Sequence, residues 1–149
     1  MEANITYFEK PGSANTDITL RLARERANAL GIRQVVVAST WGDTALKAMD
    51  VFEGFKVVVV GTSTGPREPA QEVTPLQRFS PQARQIVEAK GGVVLISTHV
   101  FGGITRAFHQ LDWRANPISL IAAALRVFGS GMKVACEVTC CQSAKWDTF

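Results

Sequence analysis

The sequence is poor in cysteine and histidine and has no long apolar run. Its three cysteines, Cys136, Cys140 and Cys141, crowd one short segment. An odd, clustered set describes no disulfide framework and fits reduced cytosolic thiols, hence a cytoplasmic protein. Their spacing lacks the paired CxxC of a zinc site, and His99 and His109 lie far off along the chain, so no metal is expected. The most apolar stretches, 57–60 and 118–125, are far shorter than the roughly 20 residues a bilayer requires. Residues 1–10 show no basic region followed by an apolar run, so neither a membrane span nor a secretory signal is expected.

What is present describes one folded domain. The 149 residues suit a single compact domain and can bury a core without disulfides or metal. Apolar residues make up 46% and charged residues 19%, which excludes disorder for most of the chain. The formal charge of +3 invites a nucleic-acid reading, but its distribution opposes one. Arg21, Arg24, Arg26 and Arg33 are interrupted by Glu25, and no aromatic interleaving or recognition motif accompanies them. No nucleic acid is expected as a partner; a weak positive field still favours a small anion.

Three β-branched, nearly continuous runs at 35–38, 57–60 and 93–96 predict strands buried on both faces, as in a parallel sheet covered by helices. A shorter run at 5–8 predicts a further strand. Between them lie helical patterns. Leu20, Ala23, Ala27 and Leu30 recur at helical spacing, with Gly31 as a stop. Residues 44–52 carry a buried stripe, 81–90 begin with Ser80 as cap and Pro81 at the first turn, and 117–128 are richly apolar. Segment 132–141 fits helix or strand. The alternation predicts an α/β domain with a mostly parallel sheet.

In such a fold ligands bind beyond the carboxyl ends of the strands. The loops there, 9–17, 39–44, 61–79 and 97–106, are rich in Gly, Ser and Thr. Small residues admit backbone amides to a ligand, hydroxyls add donors, and helix N-termini favour anions, so a phosphate is the natural guest. The sharpest element is Ser39-Thr40-Trp41-Gly42-Asp43-Thr44-Ala45. It reads equally as a phosphate loop or as capping, since Thr40 and Asp43 fit a capping box and Asp43 would repel a nearby phosphate. Thr98-His99, ahead of Gly102 and Gly103, offers a donor or an acid/base near neutral pH, though a satisfied loop histidine is the commoner case. Arg67-Glu68 and Lys10 read as loop or surface charges that could face the same edge. Lys133 and Glu137, four apart, read as a surface pair. GxxxxGK[ST], GxGxxG and GxSxG are all absent.

At these motifs the chain resembles a known family. The segment 5–12 with Asn15-Thr16, the run VVVAST-x-G-x-TALKA, Lys56 with the valines 57–60, Arg67-Glu68-Pro69, Thr98-His99 with Gly103, and finally LRVFG-x-G-x-KV are similar to largely prokaryotic proteins related to the C-terminal α/β domain of pyruvate kinase. The resemblance covers roughly 4–138. The catalytic barrel of pyruvate kinase has no counterpart, so pyruvate kinase activity is not expected. The resemblance implies a three-layer sandwich with a mostly parallel sheet and a ligand site at the strand ends, with flavin mononucleotide (FMN) as the cofactor. It carries over to Ser39, Thr40, Gly42, Asp43, Thr44, Thr98 and His99, with Asp43 accepting from ligand hydroxyls rather than touching phosphate. Thr62, Ser63 and Gly103 are weaker members of the same set. From about 138 to Phe149 the chain departs from the family pattern, which fits either a shortened member or a foreign or frame-shifted tail, with an exposed sheet edge or an incomplete ligand site as the consequence.

The sequence therefore predicts a single domain over 1–149 that binds a phosphorylated small molecule, with FMN first. A flavin-dependent oxidoreductase using His99 or Glu137, or a ligand-free regulatory or assembly module, are the alternatives. Homo-oligomerisation is compatible with each of them.

Overall fold

The computed structural model describes residues 4–65, 77–99, 101–102 and 117–143. After a short 3-10 turn at Ser13–Asn15 come α1 (Thr16–Ala29), β1 (Gln34–Ala38), α2 (Asp43–Val51), β2 (Lys56–Gly61), α3 (Pro81–Ala89), β3 (Val93–Ile96), α4 (Pro117–Arg126) and α5 (Ser130–Ser143). The strands form a parallel sheet in the order β1-β2-β3, with Val36 opposite Val58 and Val60 opposite Leu95. The three valine-rich runs form parallel strands as the sequence predicts, but only β2 is buried on both faces, β1 and β3 being mostly half-buried or exposed. The ambiguous segment near the end is helical, as α5.

Both faces of β2 are covered. Val57 and Val59 join Val37, Val94 and the helix residues Leu20, Ala45, Met49, Ala83 and Val87 in one core cluster. Side chains alternate along a strand, so Val58 and Val60 face the other way, and they are buried too. Helix α2 packs on β1, α3 on β3, and α1 on α2, while α5 touches β1 and α4 packs on α5. Burying a valine completely contributes about 1.5–3 kcal/mol, so the four valines of β2 are a main source of stability.

Local chemistry sets the helix ends. Ser80 Oγ accepts the Ala83 amide at 3.3 Å with Pro81 at the first helical position, as predicted. Gly31, at φ 69°, ends α1 and lets the Ile32 amide reach back to the Ala27 carbonyl at 2.8 Å.

The predicted strand at 5–8 does not form. Ile5 and Tyr7 are 74% and 85% exposed. Asn4, Thr6 and Phe8 instead line a groove with Thr19, Leu22 and Arg26 of α1. A short extended segment is stable only on a sheet edge, and this one lies on a helix. The outer edge of β1 pairs with no other strand among the described residues and borders an apolar groove of about 520 Å³ lined by Leu20, Ala27, Ile32 and Phe52. No helix of the described residues is long and apolar enough to cross a membrane.

Candidate functional site

Because the strands are parallel, the segments after β1, β2 and β3 all leave from the same end of the sheet. The described strand order never reverses, so no crevice opens between diverging crossovers. What the strand ends gather is a set of side chains.

After β1, Ser39 is buried and its amide extends the ladder to the Val60 carbonyl at 3.0 Å. Its Oγ accepts from the amides of Gly42 at 3.2 Å and Ala45 at 3.4 Å. Ser39 therefore does the capping at the start of α2. The capping box expected from Thr40 and Asp43 does not form, since Gly42 takes the cap position without a side-chain bond. Gly42 sits at φ 114°, and a Cβ there would lie 2.5 Å from Ala83 Cβ. Only glycine lets α3 approach the loop this closely. Thr40 and Thr44 are half-buried and Asp43 is exposed. The exposed Trp41 ring lies under the Arg78 guanidinium at 5.7 Å.

After β2, Thr62 is buried and its Oγ1 has no hydrogen-bond partner among the described residues. Ser63 is half-buried, and Thr64 is exposed and accepts from Gln77 Nε2 at 2.8 Å. After β3, Thr98 is exposed and the His99 side chain is mostly buried. Gly103 and Arg67-Glu68 lie outside the described residues. Lys10 is exposed, and its carbonyl accepts from Asn15 Nδ2 at 2.7 Å.

The reading of Lys133 and Glu137 as a surface pair is overturned. Glu137 is 1% exposed and Lys133 8%. Glu137 Oε1 accepts from the Gly102 amide at 2.7 Å, while Oε2 accepts from Lys133 Nζ. His99 Nδ1 lies 3.4 Å from the same Oε2, and His99 Nε2 faces the Gly61 carbonyl at 3.0 Å. Both ring nitrogens thus face oxygens that only accept. A neutral ring satisfies one of them, and a protonated ring both. The Lys133 ammonium also sits 5.9 Å from the Phe101 ring centre. One helix is thereby fastened to the ends of two strands through a buried polar network.

Burial is the largest influence on the Glu137 carboxyl and acts to raise it. The Lys133 ammonium, the Gly102 amide and the charge of His99 together outweigh burial and hold the carboxyl below its ordinary value of 4.5. Lys133 and Glu137 are the two charged residues of α5, both on the face that also buries Val138. Their spacing signals that they meet, and only packing against the strand ends buries them.

Cys136 and Cys140 lie on α5 as thiols, and no group of three or more His, Cys, Asp or Glu among the described residues could hold a metal. No protein-family model matches the chain, so the geometry of the strand ends carries the functional reading.

Proposed function

We propose that the chain binds a phosphorylated small molecule at the C-terminal ends of β1, β2 and β3, and that FMN is the ligand. The fold behind this reading is a three-layer sandwich like the C-terminal domain of pyruvate kinase, and the parallel sheet with α5 against β1 is compatible with it. The observation that carries the proposal is the Thr62 hydroxyl, buried just past the end of β2 with no hydrogen-bond partner among the described residues. A buried hydroxyl left unpaired costs about 1–3 kcal/mol, which a ligand oxygen would recover. Thr40, Thr44, Ser63, Thr98 and His99 follow the same strand ends, and on this reading Asp43, exposed in the first turn of α2, accepts from ligand hydroxyls. Ser39 and Gly42 shape the loop. The test is spectroscopic: the purified chain binds FMN with quenched flavin fluorescence and a shifted flavin absorption band. A chain that leaves the FMN spectrum unchanged refutes the proposal.

A second reading, a flavin-dependent oxidoreductase, is favoured by the contact between His99 and Glu137. It requires turnover that disappears in His99→Ala while flavin binding survives.

A further inference from the structure

In the loop after β1 the side chains nearest the start of α2 do not favour an anion. Ser39 Oγ is occupied by the amides of Gly42 and Ala45, and Asp43 places a carboxylate on the first turn of α2. An anion at that helix start would compete for the Ser39 hydroxyl and meet the Asp43 carboxylate, which has no paired ammonium beside it among the described residues.

A hydroxyl with no hydrogen-bond partner among the described residues lies instead just past the end of β2, the strand whose last carbonyl is reached by the His99–Glu137–Lys133 network. A Cβ on Gly61 would meet Ile96 Cδ1 at 2.5 Å and Phe79 Cδ2 at 3.3 Å, so this position faces the core between the sheet and α3. Strand alternation carries the next side chain, Thr62, to the opposite face, the one on which Val58 and Val60 point. The Gly61 carbonyl takes His99 Nε2, and the other edge of that ring faces Glu137 Oε2, to which Lys133 Nζ is bonded. One ring and one carboxylate oxygen therefore separate the buried ammonium from the residue preceding Thr62. An ammonium has three N–H donors, and Glu137 takes one.

We propose that Thr62 Oγ1 and the Lys133 ammonium form an oxyanion subsite, and that His99, whose two ring nitrogens are engaged by the Gly61 carbonyl and Glu137 Oε2, and Glu137 itself are positioning residues that set the cation against the strand end. The inference rests on the reading that the strand ends take a phosphorylated ligand, and it names the residues that meet the phosphate. Glu137 offsets the cost of burying an ammonium in a helix with no other charge. Its bond from the Gly102 amide fixes the loop after β3 against α5, and with it the setting of His99.

The probes are FMN and riboflavin, which differ by the phosphate alone, titrated calorimetrically into the whole chain and its variants. Thr62→Val keeps the side-chain shape. The double variant Lys133→Met/Glu137→Leu removes both charges together, so neither is left buried and unpaired. The unaltered chain prefers FMN to riboflavin. Thr62→Val weakens FMN about tenfold, as expected for a lost hydrogen bond to a charged group, while riboflavin affinity changes little. The double variant abolishes the preference. Glu137→Gln, folded by circular dichroism, moves the ring ¹⁵N resonances of His99 and weakens FMN while leaving riboflavin affinity unchanged, the second of which a role confined to packing would not do. A preference for FMN that survives both Thr62→Val and the double variant places the phosphate elsewhere and overturns the subsite, while leaving the ligand reading intact. Unmoved His99 resonances or an unchanged FMN affinity in Glu137→Gln overturn the positioning role. A chain that binds neither flavin refutes the ligand reading itself, and the subsite with it.

Discussion

Replacing Lys133 by methionine leaves a carboxylate that is 1% exposed without the ammonium beside it. Methionine matches the length of the lysine stem and keeps most of its packing, so the loss isolates the charge. If the pair were solvated, its loss would cost about 0–1 kcal/mol. A buried pair broken on one side costs about 3–5 kcal/mol, because the remaining charge stays desolvated. The Gly102 amide and His99 still face Glu137, which argues for the lower part of that range, about 3 kcal/mol. A chain of 149 residues unfolds with an entropy of roughly 0.3 kcal/mol per degree, so the melting temperature should fall by about 10 °C. Removing both charges in Lys133→Met/Glu137→Leu should restore most of the loss, since a hydrophobic pair of similar volume is often as stable as the ion pair. Urea titrations followed by circular dichroism near neutral pH give both values. A single variant within about 1 kcal/mol of the unaltered chain would refute the interior assignment.

Three further outcomes follow from the same contacts. The folded-state carboxyl of Glu137 titrates below 4.5, so its contribution is complete above that pH and is lost as the pH falls through the lowered value. Urea midpoints measured down to about pH 3 should fall along this limb, and Glu137→Gln should flatten it. Gly42→Ala should destabilise more than Gly31→Ala. Both glycines have positive φ, but a Cβ at Gly42 strikes Ala83 at 2.5 Å while one at Gly31 meets nothing within 4 Å. Backbone strain alone costs about 1–2 kcal/mol, so equal losses in thermal melts would contradict the close approach of α3. Ser39→Ala should cost about 1 kcal/mol in urea, the value of a lost helix cap, and no loss would mean that Ser39 Oγ does not cap α2.

The strands at 35–38, 57–60 and 93–96 and the caps at Ser80 and Gly31 were legible because their determinants are local. A β-branched run, a serine before proline and a glycine after a helical stripe act within a few residues of themselves. The segment 5–8 carries the pattern of a strand, but a strand requires an edge to pair with, and sequence does not show where the edges lie. Ser39 outdid Thr40 and Asp43 as the cap because Gly42, with its positive φ, displaced the helix start by three residues from Ser39. Lys133 and Glu137 were misplaced for a related reason. Helical spacing says that two side chains meet, and only tertiary packing says whether they meet in water or against the sheet. The location of the candidate site was legible from the Gly-, Ser- and Thr-rich loops, whereas its charged component came from a helix distant in sequence.

The most direct test of the account is a calorimetric titration of the purified chain with FMN. FMN should bind saturably at one site per chain, tighter than riboflavin and weakened about tenfold by Thr62→Val. No heat and no thermal stabilisation at high FMN concentration would contradict it.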